Sequence, residues 1–189
     1  MNSPIMRRST IGLMAVAALS VVMSACGGGK SSPSASKKSP SAVNSTLSKA
    51  VHEMAKGQDA LAVASFLAVI KTDRSNDVAW YDLGVIAQQQ DQDTQAVDDY
   101  LSSLAGDAKY LPALYNLATL ETSSHPETAV ELYQKVIDIQ PDNADAHLNL
   151  GFLLETLGQR QDGAEHLVRA IQLDPSLASR VPSSALSDG

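Results

Sequence analysis

Little in this chain suits chemistry or covalent reinforcement. Among its 189 residues there are one cysteine, one tryptophan and two phenylalanines, and aromatic residues make up only 4%. A lone cysteine closes no internal disulfide and builds no thiolate metal cluster. The four histidines, His52, His125, His147 and His166, are scattered, and none forms the two-histidine motif on one helix face that zinc sites use. No phosphate-cradling glycine loop, nucleophile motif or carboxylate pair stands in a recognisable context, so the sequence points away from an enzyme and implies no cofactor or metal. Positive charge is scarce as well: residues 43–177 hold eight Lys and Arg against twenty Asp and Glu, a net of −12 inside a chain of net −7. Such a surface repels nucleic acid and anionic lipid, and an acidic rim would steer a basic partner.

Long apolar runs are almost absent too. The exception is residues 11–23, thirteen residues interrupted only by Ser20 and preceded by Arg7 and Arg8. As a helix this run spans about 20 Å, short of the ~30 Å hydrocarbon core, and so reads as a secretory signal over residues 1–25. It ends on Met23-Ser24-Ala25-Cys26, which resembles the lipobox of bacterial lipoproteins, with Met23 where leucine is usual. The resemblance implies cleavage between Ala25 and Cys26, lipidation of Cys26, and an extracytoplasmic protein anchored to the bacterial cell membrane. Two acyl chains are enough for stable anchoring where one is marginal. From Cys26 to residue 42 the chain is Gly, Ser, Pro, Lys and Ala with no large apolar residue, a composition that buries no core. It reads as a flexible linker whose sixteen residues after the cysteine reach about 20–24 Å.

What the rest of the chain has is repetition. Trp80-x-x-Leu83-Gly84, followed by Ala96 and Tyr100, returns as Leu114-x-x-Leu117-Ala118 with Ala129, Tyr133 and Pro141. It returns again as His147-x-x-Leu150-Gly151 with Gly163, Leu167, Ala170 and Pro175. Units starting at Val43, Asp77, Leu111 and Ala144 are 34, 34, 33 and 34 residues long. Each has a small residue (Ala62, Ala96, Ala129, Gly163) four before a bulky one (Phe66, Tyr100, Tyr133, Leu167), as a close helix crossing requires. This spacing resembles the tetratricopeptide repeat, a helix-turn-helix unit.

The resemblance implies an all-α solenoid of four units (43–76, 77–110, 111–143, 144–177) in one domain, with eight helices near 45–56, 60–71, 77–90, 93–105, 111–122, 126–139, 144–157 and 160–173. Gly57, Asp91 and Gly158 fall where first helices stop in a left-handed conformation. Ser124-His125-Pro126-Glu127 reads as a capping box with Ser124 at the N-cap. Residues 178–189, polar and Pro/Ser-bearing, read as a flexible tail, with Leu177, Val181 and Leu186 available for a short covering turn.

In tetratricopeptide proteins the fifth, ninth, twelfth and thirteenth residues of each unit line a groove that holds a protein or extended peptide. By register these are Leu47, Val51, Met54 and Ala55; Tyr81, Val85, Gln88 and Gln89; Tyr115, Thr119, Thr122 and Ser123; Leu148, Phe152, Glu155 and Thr156. Tyr81, Tyr115 and Phe152 stand out, since aromatics give large contact area at low ordering cost. The cationic clamp with which some members grip a C-terminal carboxylate has no counterpart. Its positions hold Leu47, Val51, Asp82, Pro112 and Asn116, or one unit on Tyr81, Val85, Asn116, Asp145 and Asn149, and only Asn116 fits. The expected ligand is therefore a neutral or basic peptide or a partner's helix. Two roles follow: a lipid-anchored adaptor or scaffold, in which the fold resembles lipoproteins of envelope assembly, or a lipoprotein that captures a peptide or small solute for a transporter. The partner and the oligomeric state are not written in the sequence.

Overall fold

The computed structural model describes residues 40–186; the segments read as signal peptide, Cys26 and linker through residue 39, and residues 187–189, lie outside the described residues. Eight α-helices follow in order: α1 Pro40–Ala55, α2 Asp59–Thr72, α3 Asp77–Gln89, α4 Asp93–Gly106, α5 Leu111–Ser124, α6 Pro126–Ile139, α7 Ala144–Thr156 and α8 Arg160–Leu173. Two 3-10 turns, Pro175–Arg180 and Ser183–Leu186, close the chain, and no strand occurs among the described residues. The helices pair as four antiparallel hairpins, α1–α2 to α7–α8, and each hairpin packs on the next.

The hairpins are held by the small-large pattern. Ala62, Ala96 and Ala129 are fully buried, as are Phe66 and Tyr100, with Tyr133 at 2% exposure. Each such buried ring stabilises its unit by about 1.5–3 kcal/mol. Gly84 shows why the pattern asks for a small residue in the first helix: a Cβ there would stand 2.6 Å from the Tyr100 ring. Gly151 stands in the same relation to Leu167, at 2.7 Å.

The turns inside units one, two and four are also set by local chemistry. Gly57, Asp91 and Gly158 have φ of 68°, 57° and 80°, the left-handed conformation expected of them. The next amide then reaches back five residues, Gln58 to the Glu53 carbonyl, Gln92 to Ala87 and Gln159 to Leu154, closing the helix end. Between units the proline that the repeat carries as Pro141 and Pro175 is replaced by Arg74 and Ala108, and there the preceding aspartate shapes the turn. Asp73 and Asp107 each accept a hydrogen bond from the amide two residues on, at 3.3 and 2.9 Å, and Asp174 does the same ahead of the tail at 2.9 Å. Asn76 and Asn143 then cap α3 and α7 by accepting from the Ala79 and Ala146 amides.

Three expectations are corrected. The first helix begins at Pro40, inside the stretch read as linker through residue 42. Proline suits a first helical turn because its amide would have no partner there, and Val43 and Leu47 pack against the Phe66 cluster. Ser124 does not cap α6: it is the last residue of α5, and His125 alone joins the two helices without a side-chain cap. The segment 178–189, read as a flexible tail, is structured through Leu186. Leu177, Val181 and Ala185 bury themselves against Leu148, Leu167 and Ala170, whereas Leu186 is exposed. The tail thereby covers the face that a fifth unit would have covered.

Candidate functional site

Where the third and fourth units meet, the first helices α5 and α7 open a cleft of about 580 Å³. Thr119, Thr122 and Ser123 form one wall, Asn149, Phe152, Leu153 and Thr156 the other, and Tyr133 from α6 lies at the base. Ninth, twelfth and thirteenth residues of one unit thus face the sixth, ninth and thirteenth of the next. Phe152 and Leu153 supply apolar surface, while Thr119, Tyr133 and Asn149 supply hydrogen-bonding groups, a mixture suited to an extended peptide. A second cleft of about 350 Å³ lies at the same junction, by the starts of α5 and α7, lined by Leu111, Pro112, Tyr115, Gln140, Asn143 and Asp145.

A hydrogen-bonded ladder runs across the unit junctions beside these clefts. At the second junction Asn116 Nδ2 donates to Tyr81 Oη at 3.4 Å and to Tyr100 Oη at 3.2 Å, and Tyr100 in turn donates to Gln88 Oε1 at 2.8 Å. At the third junction Asn149 Nδ2 donates to Tyr115 Oη at 2.8 Å, and Thr119 Oγ1 pairs with Tyr133 Oη at 3.1 Å. Tilted and edge-on rings reinforce it: Tyr81 lies 5.8 Å from Tyr100 and 5.4 Å from Tyr110, and Tyr115 lies 5.9 Å from Tyr133. Burial raises the phenol pKa values of Tyr81 and Tyr115 and pushes those of Tyr100 and Tyr110 up to about 12, so the hydroxyls remain neutral donors and acceptors.

The expected groove residues therefore divide. Phe152 and Thr119 line the large cleft and Tyr115 the smaller one. Tyr81 is half-buried in the ladder, Val85 is half-buried against the same core, and Gln88 is tied to Tyr100. Glu155 is half-buried beside Gly163, where a Cβ would stand 3.1 Å from its Cγ. Leu148 is not a groove residue at all: it is fully buried beneath Leu177, Val181 and Ala185. Asn149, which the sequence offered only as a clamp position, and Tyr133, which it offered only as a packing residue, line the large cleft as well. Their signal was register, since Asn116 and Asn149 are both the sixth residue of their units.

Elsewhere, His147 and His166 share one hydrogen bond between their Nδ1 atoms at 2.9 Å, with His147 Nε2 3.3 Å from the Pro141 carbonyl. That carbonyl requires a protonated Nε2, so His147 Nδ1 accepts and His166 Nδ1 donates, a pairing complete when both rings are neutral. Burial lowers both pKa values. Among the described residues no group of three or more His, Cys, Asp and Glu side chains is placed to hold a metal ion.

Comparison with known proteins agrees with this architecture. A TPR repeat model matches residues 127–158 and a tetratricopeptide repeat model residues 144–177. A search of curated proteins finds no match. Among solved structures, MamA is 25% identical over 76% of this chain and 84% of its own, with a TM-score of 0.65. YrrB, a TPR protein with an unusual peptide-binding site, is 18% identical over 71% of this chain and 70% of its own, with a TM-score of 0.66. The first TPR domain of Spaghetti (RPAP3), bound to the HSP90 peptide SRMEEVD, is 17% identical over 61% of this chain and 93% of its own, with a TM-score of 0.57. The fold is a tetratricopeptide-repeat solenoid.

Proposed function

We propose that this chain is an adaptor that holds an extended peptide or a partner's helix along its first helices, and that a lipid on Cys26 anchors it outside the cytoplasmic membrane of a bacterium, where it serves envelope assembly. The observation that carries the binding role is the cleft of about 580 Å³ between α5 and α7, in which Phe152 and Leu153 offer apolar contact. Beside them Asn149 donates one amide hydrogen to Tyr115, which leaves its carbonyl oxygen to accept from a peptide N–H. Structural neighbours that hold peptides support the same reading. The peptide seated in Spaghetti is acidic at its end, whereas the clamp positions here carry no Lys or Arg, so a neutral or basic ligand suits this groove. The clefts open to solvent along the array, which favours an adaptor over the capture of a small solute for a transporter, a task that uses an enclosed pocket.

Anchoring rests on the sequence 23–26 and the run before it; no helix among the described residues is long and apolar enough to cross a membrane. Two experiments test the two halves. Replacing Phe152 and Asn149 together by Ala should weaken partner capture at least about tenfold with helicity by circular dichroism unchanged; capture at wild-type strength refutes the groove. Cys26→Ala should leave an unlipidated protein in the soluble fraction, and unchanged mass and membrane fractionation refute the anchor.

A further inference from the structure

Three carboxylates are buried among the described residues, and two of them have donors. Glu53 accepts from the Ser65 hydroxyl at 2.6 Å and pairs with Lys49 at 3.4 Å. Asp99 accepts from Gln95 Nε2 at 3.0 Å. Asp82, 7% exposed, has no hydrogen bond or ion pair among the described residues. Its oxygens are nonetheless reached by solvent, for among the described side chains only Ser103 Oγ is both sealed from solvent and unpartnered.

Register explains both facts. Asp82 is the sixth residue of its unit, where the next two units carry Asn116 and Asn149. Asn116 is satisfied by hydroxyls on the fifth and the bulky second-helix residues of the preceding unit, Tyr81 and Tyr100. The matching residues of the first unit are Leu47 and Phe66, neither of which can donate. Asn149, at the same register position, lines the large cleft together with the ninth, twelfth and thirteenth residues of the unit before it. At the first junction those three are Val51, Met54 and Ala55, apolar where the third unit has Thr119, Thr122 and Ser123.

We propose that Asp82 is a specificity-determining residue of this first junction, seating the ammonium or guanidinium group of a lysine or arginine in the bound peptide. The inference rests on the groove reading above and adds what the groove selects. By register Val51 and Met54 offer apolar surface to the aliphatic stem, and the cationic head meets a carboxylate that no group among the described residues neutralises. A neutral donor would satisfy one lone pair and leave the charge uncompensated; a cation supplies both. Charge elsewhere works in the same direction, since the repeats carry a net −12 and draw a basic segment toward the groove.

The experiment is selection of peptides from a random displayed library on the full chain, on Asp82→Asn and on Phe152→Ala. Asparagine already occupies the same position in two units, so Asp82→Asn keeps the fold. Wild type should enrich peptides with a Lys or Arg at one position, and replacing that residue by norleucine in a synthetic peptide should weaken binding about tenfold on wild type and less than about twofold on Asp82→Asn. Enrichment without basic preference, or a norleucine penalty that persists on Asp82→Asn, overturns the proposal. Peptides that depend on Phe152 but not on Asp82 leave the groove reading standing and sink this one. Peptides indifferent to both, or a library that yields no binder, sink the two together.

Discussion

The first junction and the two that follow share a backbone plan and differ in what their side chains can donate. At the second and third, tyrosine hydroxyls and asparagine amides complete one another across the interface: Tyr81 and Tyr100 with Asn116, Tyr115 with Asn149. At the first, the acceptor, Asp82, is charged and the residues at the matching register, Leu47 and Phe66, cannot donate. Burial alone pushes its pKa up to about 6. The later junctions thus pair their tyrosine hydroxyls with asparagine amides within the fold, whereas the first keeps an unmet charge. A protein tolerates such a group where a ligand completes it, and the contrast marks the first junction as the less stable and more selective end of the groove.

The largest effect expected from breaking this contrast is at its satisfied side. Tyr100→Ala empties a fully buried site and removes the hydrogen bonds to Gln88 and Asn116, and should cost about 3–5 kcal/mol in urea unfolding. Phe66→Ala empties the equivalent site at the first junction without orphaning a hydrogen bond and should cost about 1 kcal/mol less. Equal losses would show that the hydroxyl ladder adds nothing to stability.

Removing the unmet charge is next in size. Asp82→Asn should raise stability by about 2 kcal/mol at pH 7. The sign follows from the direction of the shift. A carboxyl whose folded pKa is raised from 3.8 to about 6 contributes its stabilisation in full below 3.8 and loses it as pH rises through 6, so the wild type carries the whole penalty at neutral pH. The advantage of the variant should therefore shrink steadily between pH 6 and 4. His147 and His166, lowered by burial, act oppositely: their protons are taken up mainly by the unfolded chain, and acid below the ordinary histidine value of 6.5 weakens the fold. That contribution is common to both proteins and cancels in the difference. A gain independent of pH would mean that Asp82 is partnered after all.

How far these features could be read beforehand depended on whether one unit or two were needed. Helix positions and the left-handed turns at Gly57, Asp91 and Gly158 are local, and the repeat states them several times over. The start at Pro40 was obscured because Ser, Pro and Ala also compose linkers, and composition outweighed the fitness of proline for a first turn. The tail was obscured likewise: Leu177, Val181 and Ala185 recur every four residues, but Pro182 and the serines around it suggested a loose end. Leu148 failed for the same reason, because groove exposure was assigned by register without the tail that covers it. The ladder joins residues 34 and 35 positions apart, and a pattern read within one unit does not contain it. Comparing the sixth position across units would have shown Asp82, Asn116 and Asn149 together.

A smaller test separates a group kept for binding from one that is merely buried. Ser103, fully buried, has an Oγ with no partner, and the other units place Val69, Val136 and Ala170 at its position. Unlike Asp82 it carries no charge, and its oxygen is sealed from solvent. Ser103→Ala removes an unmet hydroxyl and leaves the methyl-sized volume filled, so thermal unfolding should show a gain of about 1 kcal/mol. Peptide binding should be unchanged by Ser103→Ala and altered by Asp82→Asn, although both substitutions stabilise. If Ser103→Ala also changed which peptides are selected, unmet polarity would act through overall stability, and the distinction between the first junction and the others would rest on rigidity instead of charge.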